Sequence, residues 1–156
     1  LIDLATFLAG DTQKIYADTG IVVKERKKLD SEEYAPVETD DYCNFLAKFK
    51  NGASATFSIT RCAPGNANRV CAEVYGNKGG IRFDLNKSDT LEVCVNDKMV
   101  PTEVPKEFFT TQMQEFINVI NGKADEYVPT LEDGCKGQKI LDAILDSAET
   151  GTWITL

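Results

Sequence analysis

The sequence of 156 residues contains no histidine, and several common catalytic and metal-binding patterns are missing with it. A Ser-His-Asp triad would lack its base, and no G-x-S-x-G segment is present to carry a nucleophilic serine. The five cysteines are widely spaced without a C-x-x-C pair, so we do not expect a zinc or other metal site. Reduced thiols in a cytoplasmic protein are the simplest account of their odd number.

Long apolar runs and a basic surface are lacking as well. No stretch approaches the roughly 20 apolar residues of a membrane-spanning helix, and no signal peptide is visible, so no membrane partner is expected. The net charge is −8, and the one basic cluster, from Lys24 to Lys28, is neutralised by acids between Glu25 and Glu33. A nucleic-acid partner is therefore not expected either.

The first helical pattern has no visible beginning. Leu1, Leu4, Ala5 and Leu8 share one helical face, no capping residue precedes them, and the pattern stops at Gly10. We therefore expect residues 1–156 to be a fragment of a longer polypeptide that forms one domain. A chain of this length is sufficient for a core of its own.

Alternating residues predict an antiparallel sheet. Between residues 53 and 60 apolar side chains alternate with the hydroxyls of Ser54, Thr56, Ser58 and Thr60, as expected when only one face of a sheet is covered. Asn51-Gly52 predicts a hairpin before this strand. Other strands are predicted at residues 12–27 with a break at 18–20, and at 42–49, 69–75, 80–85, 90–96 and 100–104, with a loop at 29–40.

Two more helices are predicted near the end of the chain. Thr111 and Thr130 are the expected N-caps, each with a capping-box partner three residues later. The apolar stripes comprise Phe109, Met113, Phe116, Ile117 and Ile120, and then Ile140, Leu141, Ile144, Leu145 and Ala148. With a final strand at 153–156, the pattern predicts an α+β fold, an open and mainly antiparallel sheet with helices on one face.

Few segments suggest chemistry. The acidic pairs Asp40-Asp41 and Glu132-Asp133 are weak metal candidates, and the second pair opens a helix, where acids simply complement the dipole. The glycines between Gly76 and Gly80 lie between two strands and lack G-x-G-x-x-G spacing, so we interpret them as a hairpin turn and not a phosphate-binding loop.

The segment from Arg61 to Arg69, called the candidate loop below, has the composition of a ligand site. Its guanidinium groups, the carboxamides of Asn66 and Asn68 and the flexible Gly65 suit a polyhydroxy or carboxylate ligand. The alternative, which the residues alone favour, is a polar connection with a Pro-Gly turn.

Together these segments resemble the C-terminal half of the glucose–fructose oxidoreductase / inositol dehydrogenase family. The resemblance covers essentially the whole chain. Each segment is a weak signal alone, but the order and spacing of the segments together are specific. The segments are Leu1-Ile2-Asp3-Leu4, Ser58-x-x-Arg61, Val74-Tyr75-Gly76-x-Lys78-Gly79, Thr130-Leu-Glu-Asp-Gly134 and Ser147-Ala148-x-x-Gly151-x-Trp153-Ile154.

The resemblance implies a two-domain dehydrogenase that transfers hydride between NAD or NADP and a sugar or polyol. The cofactor and catalytic residues would belong to the upstream half, a Rossmann domain and an H-x-x-D helix whose His would precede Leu1. This chain would then hold no catalytic, cofactor-binding or metal-binding residue and would be inactive alone. Its own part would be a dihydrodipicolinate-reductase-like sheet domain that lines the substrate pocket and forms homo-oligomers through its open sheet face.

The resemblance also implies substrate-binding residues, namely Asp3, Arg61, Gly65, Asn66 and Asn68. For Asp3 the alternative is a residue that only complements the helix dipole. A different hypothesis for the whole chain is a non-catalytic interaction module that uses the hydroxyl-bearing strand face. The identity of the substrate and the choice between NAD and NADP are not predictable from these residues.

Overall fold

A computed structural model describes residues 1–66, 68–87, 90–123 and 127–156. The chain forms two compact units, which we call unit 1 (Leu1–Ala63 and Pro129–Leu156) and unit 2 (Pro64–Val128). The helices are α1 (Ile2–Ala9), α2 (Gln112–Ile120) and α3 (Leu131–Thr150). The strands are β1 (Thr12–Gly20), β2 (Glu25–Lys27), β3 (Tyr34–Pro36), β4 (Tyr42–Phe49), β5 (Ser54–Thr60), β6 (Cys71–Gly76), β7 (Gly79–Asp84), β8 (Thr90–Val95), β9 (Lys98–Glu103) and β10 (Ile154–Thr155).

Unit 1 is built around an antiparallel sheet with the strand order β10-β1-β4-β5. Helices α1 and α3 cover one of its faces, and the rings of Phe45 and Phe57 stack 4.1 Å apart between adjacent strands. The buried core consists of Ile15, Ala17, Phe45, Ala47, Phe49, Ile140 and Ile144. This arrangement confirms the predicted α+β class, because alternation along β1, β4 and β5 directs one set of side chains toward the helices.

Helix α1 packs on a face that is shifted from the one predicted. Ile2, Ala5 and Ala9 contact the core, whereas Leu1 and Leu8 remain about half exposed. The end of the helix is fixed to the β4–β5 hairpin, where the side-chain amide of Asn51 donates to the carbonyl of Ala9 over 2.8 Å. Ala5 belongs to both the predicted stripe and the inward face, so the predicted face was correct in part and is shifted toward Ile2 and Ala9.

Two other local predictions need correction. Strand β1 continues through residues 18–20, because its pairing with β4 extends to Gly20, and the break comes at residues 21–24 instead. The segment predicted as a loop at 29–40 contains β3, which pairs with β2 in a short ribbon. Lys27 and Lys28 form ion pairs of 2.7 Å across the ribbon end with Glu32 and Glu33, so the basic cluster is neutralised as expected.

Unit 2 contains a second antiparallel sheet, with the order β6-β7-β8-β9. One of its faces carries an ionic row in which Arg82 lies between Glu73 at 2.8 Å and Glu92 at 3.2 Å. The other face carries a directly paired aliphatic row, Val74, Ile81, Val93 and Val100. No apolar side chain in the described part of unit 2 is fully buried.

The predicted helix caps are confirmed. The hydroxyl of Thr111 accepts from the amide of Gln114, and Thr130 forms a full capping box with Asp133. The predicted stripes are less buried than expected, since Met113, Phe116 and Ile120 of α2 and Leu141 and Leu145 of α3 are 45–67% exposed. Helices that could cross a membrane are not found among the described residues.

Helix α3 is also joined to the sheet by a buried serine. The hydroxyl of Ser147 accepts from the amide of Ala17 over 2.9 Å and donates to the carbonyl of Thr152 over 2.6 Å. Ser147 is completely buried, and its hydroxyl satisfies the buried amide of Ala17 as well as the carbonyl of Thr152. Its bonds fix the turn at Gly151, which has a left-handed φ of 65° and ends the helix.

Candidate functional site

The candidate loop begins immediately after β5, which ends at Thr60. The amide of Arg61 donates to the carbonyl of Asp41 over 2.8 Å, and the amide of Cys62 donates to the hydroxyl of Thr60 over 2.9 Å. These bonds fix the backbone from which the Arg61 side chain extends. Its exposed guanidinium forms no ion pair or hydrogen bond with the residues that the structure describes, so it remains available to an anionic or hydroxyl ligand.

Asp41 joins the start of the candidate loop to the segment that follows β1, a role that the sequence did not suggest. Its carboxylate accepts from the amides of Val22 at 2.8 Å and Val23 at 2.9 Å, and it lies 3.6 Å from the guanidinium of Arg26. The bond from Val23 is the main cause of its lowered pKa. The carboxylate is buried and holds two backbone amides, so a structural role accounts for Asp41.

The thiol of Cys62 lies against the same carboxylate. Burial first, and then the negative charge of Asp41, raise the pKa of this thiol. A raised pKa leaves the sulfur protonated near neutral pH, where it donates to Asp41 and is a poor nucleophile. Cys62 therefore helps to hold the start of the candidate loop and has no predicted covalent role.

The remaining predicted loop residues belong to unit 2. Gly65 has a φ of 85° and Asn68 a φ of 40°, backbone conformations that glycine and asparagine tolerate better than other residues. The side chains of Asn66 and Asn68 are exposed, and Ala67 lies outside the described residues. Arg69 is bound to Asp84 at 3.1 Å, so of the two loop arginines only Arg61 is unpaired within the described part of the chain.

Asp3 lies in the first turn of α1 and is exposed. It belongs to unit 1 with Arg61, but no ion pair or hydrogen bond joins the two side chains among the described residues. Its position is also the one at which an acid complements the helix dipole. The geometry therefore accommodates both interpretations of Asp3.

The glycines at 76–80 do not form a dinucleotide-binding loop. Gly76 pairs directly with Gly79 in a tight hairpin, as predicted, and no helix follows to receive a pyrophosphate. The ring of Tyr75 covers Gly80, where an added Cβ would lie 2.7 Å from the ring. Asp133, at the start of α3, is occupied as a capping residue. Its pKa is lowered mainly by the hydrogen bond from the hydroxyl of Thr130.

The sheet face of unit 1 that lies opposite the helices, called the open face, carries three rows of side chains that run across the strands. The apolar row is Trp153, Tyr16, Leu46 and Thr56. The basic row lies on one side of it and contains Lys14, Lys48 and Ser54. The acid-amide row lies on the other side and contains Asp18, Asn44 and Ser58.

The sequence predicted the hydroxyls of β5 on the open face but not its aromatic side chains. The rings of Tyr16 and Trp153 are 5.8 Å apart, and the ammonium of Lys14 lies 4.9 Å from the Trp153 ring centre. Tyr16 alternates with the buried Ile15 and Ala17, and this alternation was the available signal. The row became visible only when pairing with β4 and β10 placed Leu46 and Trp153 beside it.

Comparisons with known proteins agree with the fold. The whole chain, residues 1–156, matches the family model described as "Oxidoreductase family, C-terminal alpha/beta domain". Levoglucosan dehydrogenase from Pseudarthrobacter phenanthrenivorans is 22% identical over 99% of this chain and 49% of its own length. Glucose-fructose oxidoreductase domain-containing protein 2 from Xenopus laevis is 26% identical over 98% of this chain and 46% of its own length.

A solved structure of levoglucosan dehydrogenase in complex with NADH and levoglucosan superimposes with a TM-score of 0.85. It is 25% identical and is matched over 99% of this chain and 47% of its own chain. The chain thus spans about half the length of the relatives it matches. On the strength of the full-length family match, the chain belongs to the oxidoreductase family of glucose–fructose oxidoreductase and inositol dehydrogenase, to which it contributes the C-terminal α/β domain.

Proposed function

We propose that this chain is the substrate-binding and assembly half of a cytoplasmic NAD(P)-dependent dehydrogenase that oxidises a CH–OH group of a sugar or polyol. The family match and the NADH and levoglucosan complex of a relative support the reaction class and the substrate class. The cofactor and the groups that move the hydroxyl proton belong to another part of the parent protein in this proposal. We therefore expect the isolated chain to be inactive.

The observation that carries the proposal is the contrast between the two arginines of the candidate loop, Arg61 and Arg69. The backbone of Arg61 is held by Asp41, yet its guanidinium has no partner among the residues that the structure describes, whereas Arg69 of the same loop pairs with Asp84. The other three arginines of the chain, Arg26, Arg69 and Arg82, each pair with a carboxylate. We propose that Arg61 donates to substrate hydroxyls, and that Asp3 of unit 1 and Gly65, Asn66 and Asn68 of unit 2 are further substrate contacts.

The test is a substitution in the full-length parent protein. Arg61→Ala should raise the KM for the preferred sugar or polyol about tenfold or more and leave the KM for the nicotinamide cofactor unchanged. Arg61→Lys should recover only part of the loss, because an ammonium cannot reproduce the planar guanidinium. Lys139→Ala, at an exposed position on α3, is the matched control and should change neither constant.

Equal sugar KM values for the parent protein and Arg61→Ala would overturn the assigned role of Arg61. Failure of the parent to reduce NAD or NADP with any of a panel of aldoses, anhydrosugars and polyols would overturn the reaction class itself. These two outcomes are separable, because the second concerns the unmodified protein.

The open face favours a second candidate function, a non-catalytic interaction module that assembles through this surface. Tyr16, Leu46 and Trp153 are 39–43% exposed there, and aromatic side chains are enriched at protein interfaces. In the dehydrogenase proposal the same surface forms a homo-oligomer. Oligomers without sugar oxidation by the parent would favour the module, and a strict monomer at high concentration in light scattering would count against assembly in both cases.

A further inference from the structure

Two asparagines of the chain are followed by glycine, and the structure holds their side chains differently. Asn51-Gly52 lies in the β4–β5 hairpin, and Asn121-Gly122 lies at the end of α2. An asparagine before glycine can lose its side-chain nitrogen without an enzyme, because glycine has no side chain to hinder the approach of its own backbone nitrogen. The dipeptide is the same at both sites, so the fold is the source of any large difference between them.

In this reaction the backbone nitrogen of the glycine attacks the side-chain carbonyl carbon of the asparagine. A five-membered succinimide forms, the glycine nitrogen gives its proton to the solvent, and the side-chain nitrogen takes up a proton and leaves as ammonia. Water then opens the ring at one of its two carbonyls. The products are aspartate and isoaspartate, and in isoaspartate the main chain continues through the former side-chain carbonyl.

Exposure and backbone bonding do not distinguish the two sites. Both asparagines are exposed, and both glycines have a positive φ, which is 91° at Gly52 and 67° at Gly122. The amide of Gly52 donates to the carbonyl of Phe49 over 3.0 Å. The amide of Gly122 donates in the same way to the carbonyl of Val119 over 3.1 Å. Either amide must leave this bond before it attacks, so the sites share that cost.

The asparagine side chains, in contrast, have different surroundings. The side-chain nitrogen of Asn51 donates to the carbonyl of Ala9 over 2.8 Å, and its side-chain oxygen accepts from the amide of Ala53 over 3.0 Å. Ring closure moves this side chain, so both bonds must break first. The side chain of Asn121 forms no hydrogen bond with any residue that the structure describes, and it rotates without that cost.

The end of α2 also opens more easily than the β4–β5 hairpin. Helix α2 has 9 residues and no buried side chain, and helices shorter than about 12 residues are marginal unless they are packed. Opening of its last turn releases the Gly122 amide for attack. The hairpin, in contrast, is anchored by Phe45, Ala47 and Phe49 in the core of unit 1.

We propose that Asn121-Gly122 is a site of spontaneous deamidation and isoaspartate formation in the native chain, and that the fold protects Asn51-Gly52. The new carboxylate lies at the negative end of α2, where the helix dipole disfavours it. The last turn of α2 therefore loosens as the chain ages, while the core of unit 1 is unaffected. The inference concerns the chain itself and does not depend on the proposed dehydrogenase function.

The test is prolonged incubation of the 156-residue chain in mildly alkaline buffer, followed by peptide mapping with mass spectrometry. Aspartate and isoaspartate should form at position 121 roughly tenfold or more faster than at position 51, because two side-chain hydrogen bonds protect Asn51. Methyl transfer by a protein isoaspartyl methyltransferase labels isoaspartate and should follow the same order. Asn121→Gln should remove most of the label, because glutamine would have to close a six-membered ring.

Incubation in concentrated urea is the matched control, because it removes the fold and keeps both dipeptides. The rates at positions 51 and 121 should then become similar. A second readout is the urea unfolding of the incubated native chain, followed by the fluorescence of Trp153 in unit 1. Its midpoint should equal that of the fresh chain, because α2 contributes no buried side chain.

A fast reaction at Asn121 and a slow one at Asn51, with the difference lost in urea, supports the proposal. Equal native rates, or a faster reaction at Asn51, would overturn it. A native chain that keeps Asn121 intact while the urea-treated chain reacts would also overturn it, since α2 would then protect the site. A lower unfolding midpoint after reaction at Asn121 alone would contradict the confinement of the change to α2.

Discussion

Units 1 and 2 each contain a four-stranded antiparallel sheet, yet they use it differently. The sheet of unit 1 has one face covered by α1 and α3, and the buried apolar side chains found in the described structure all belong to this unit. The sheet of unit 2 has an ionic row on one face and an aliphatic row on the other, and Val74, Ile81 and Val100 are 41–46% exposed. A sheet becomes a stable core only when a second layer excludes water from it.

The comparison also suggests how the two units divide the proposed function. Unit 1 fixes the backbone of Arg61 through Asp41 and supplies the open face. Unit 2 supplies the loop residues Gly65, Asn66 and Asn68, whose side chains are exposed. Few buried contacts are typical of segments that adjust to a ligand.

Truncation of core side chains should have the largest effect on the free energy of unfolding, and this effect should be confined to unit 1. Ile140→Ala removes a buried residue of the α3–sheet contact and should lower the free energy of unfolding by about 3 kcal/mol. Val93→Ala, in the aliphatic row of unit 2, should lower it by about 1 kcal/mol or less, because the side chain is only half-buried. Urea denaturation of both variants measures the difference, and equal losses would contradict the division between the units.

A smaller loss of stability is expected when the buried hydroxyl of Ser147 in unit 1 is removed. Ser147→Ala leaves the Ala17 amide and the Thr152 carbonyl without partners and should cost about 2 kcal/mol. Thr150→Ala removes an exposed hydroxyl from the same helix and serves as the control, with an expected change below about 0.5 kcal/mol. A Ser147→Ala variant as stable as the control would show that water or a backbone shift satisfies these groups.

Removal of helix caps should lower stability by a smaller amount, and by more in unit 1 than in unit 2. Thr130→Ala breaks the capping box of α3 and should lower stability by about 1 kcal/mol. Thr111→Ala removes the corresponding cap of α2, a helix without buried side chains, and should change global stability by only a few tenths of a kcal/mol. Thermal unfolding followed by the fluorescence of Trp153, the single tryptophan, reports on unit 1 and separates the two variants.

The smallest expected effect is the pH dependence due to Asp41. Its folded-state pKa lies below the ordinary 3.8, so the ionised carboxylate stabilises the fold above that value. The contribution is lost as the pH falls from about 4 through the lowered pKa, since protonation weakens acceptance from Val22 and Val23. Asp41→Asn should therefore be less stable than the parent at pH 7 and approach it near pH 2; a pH-independent difference would argue against this role.

Local patterns predicted the fold class because they depend on neighbouring residues. Alternation in β5, the Asn51-Gly52 hairpin and the Thr130 capping box are each determined within a few positions. The inward face of α1 was predicted only in part: Ala5 was in the predicted stripe, whereas Ile2 and Ala9 contact the core in place of Leu1 and Leu8. The apolar row and the Asp41 contacts were missed because they join residues far apart in the sequence.

The candidate site could be predicted only as a set of residue types. The guanidinium and carboxamides of the candidate loop were recognisable, but the sequence could not show that Arg69 pairs with Asp84 while Arg61 has no partner in the described part of the chain. That distinction depends on the pairing of β6 with β7, which brings Asp84 to the loop.

The central claim is that this chain supplies the substrate and assembly half of a dehydrogenase and holds no cofactor site of its own. Titration of the 156-residue chain into NADH, followed by nicotinamide fluorescence, tests it most directly. We predict neither enhancement nor blue shift of the emission up to millimolar chain, because the glycines at 76–80 form a hairpin and not a pyrophosphate cradle. Saturable binding with a micromolar Kd would contradict the claim.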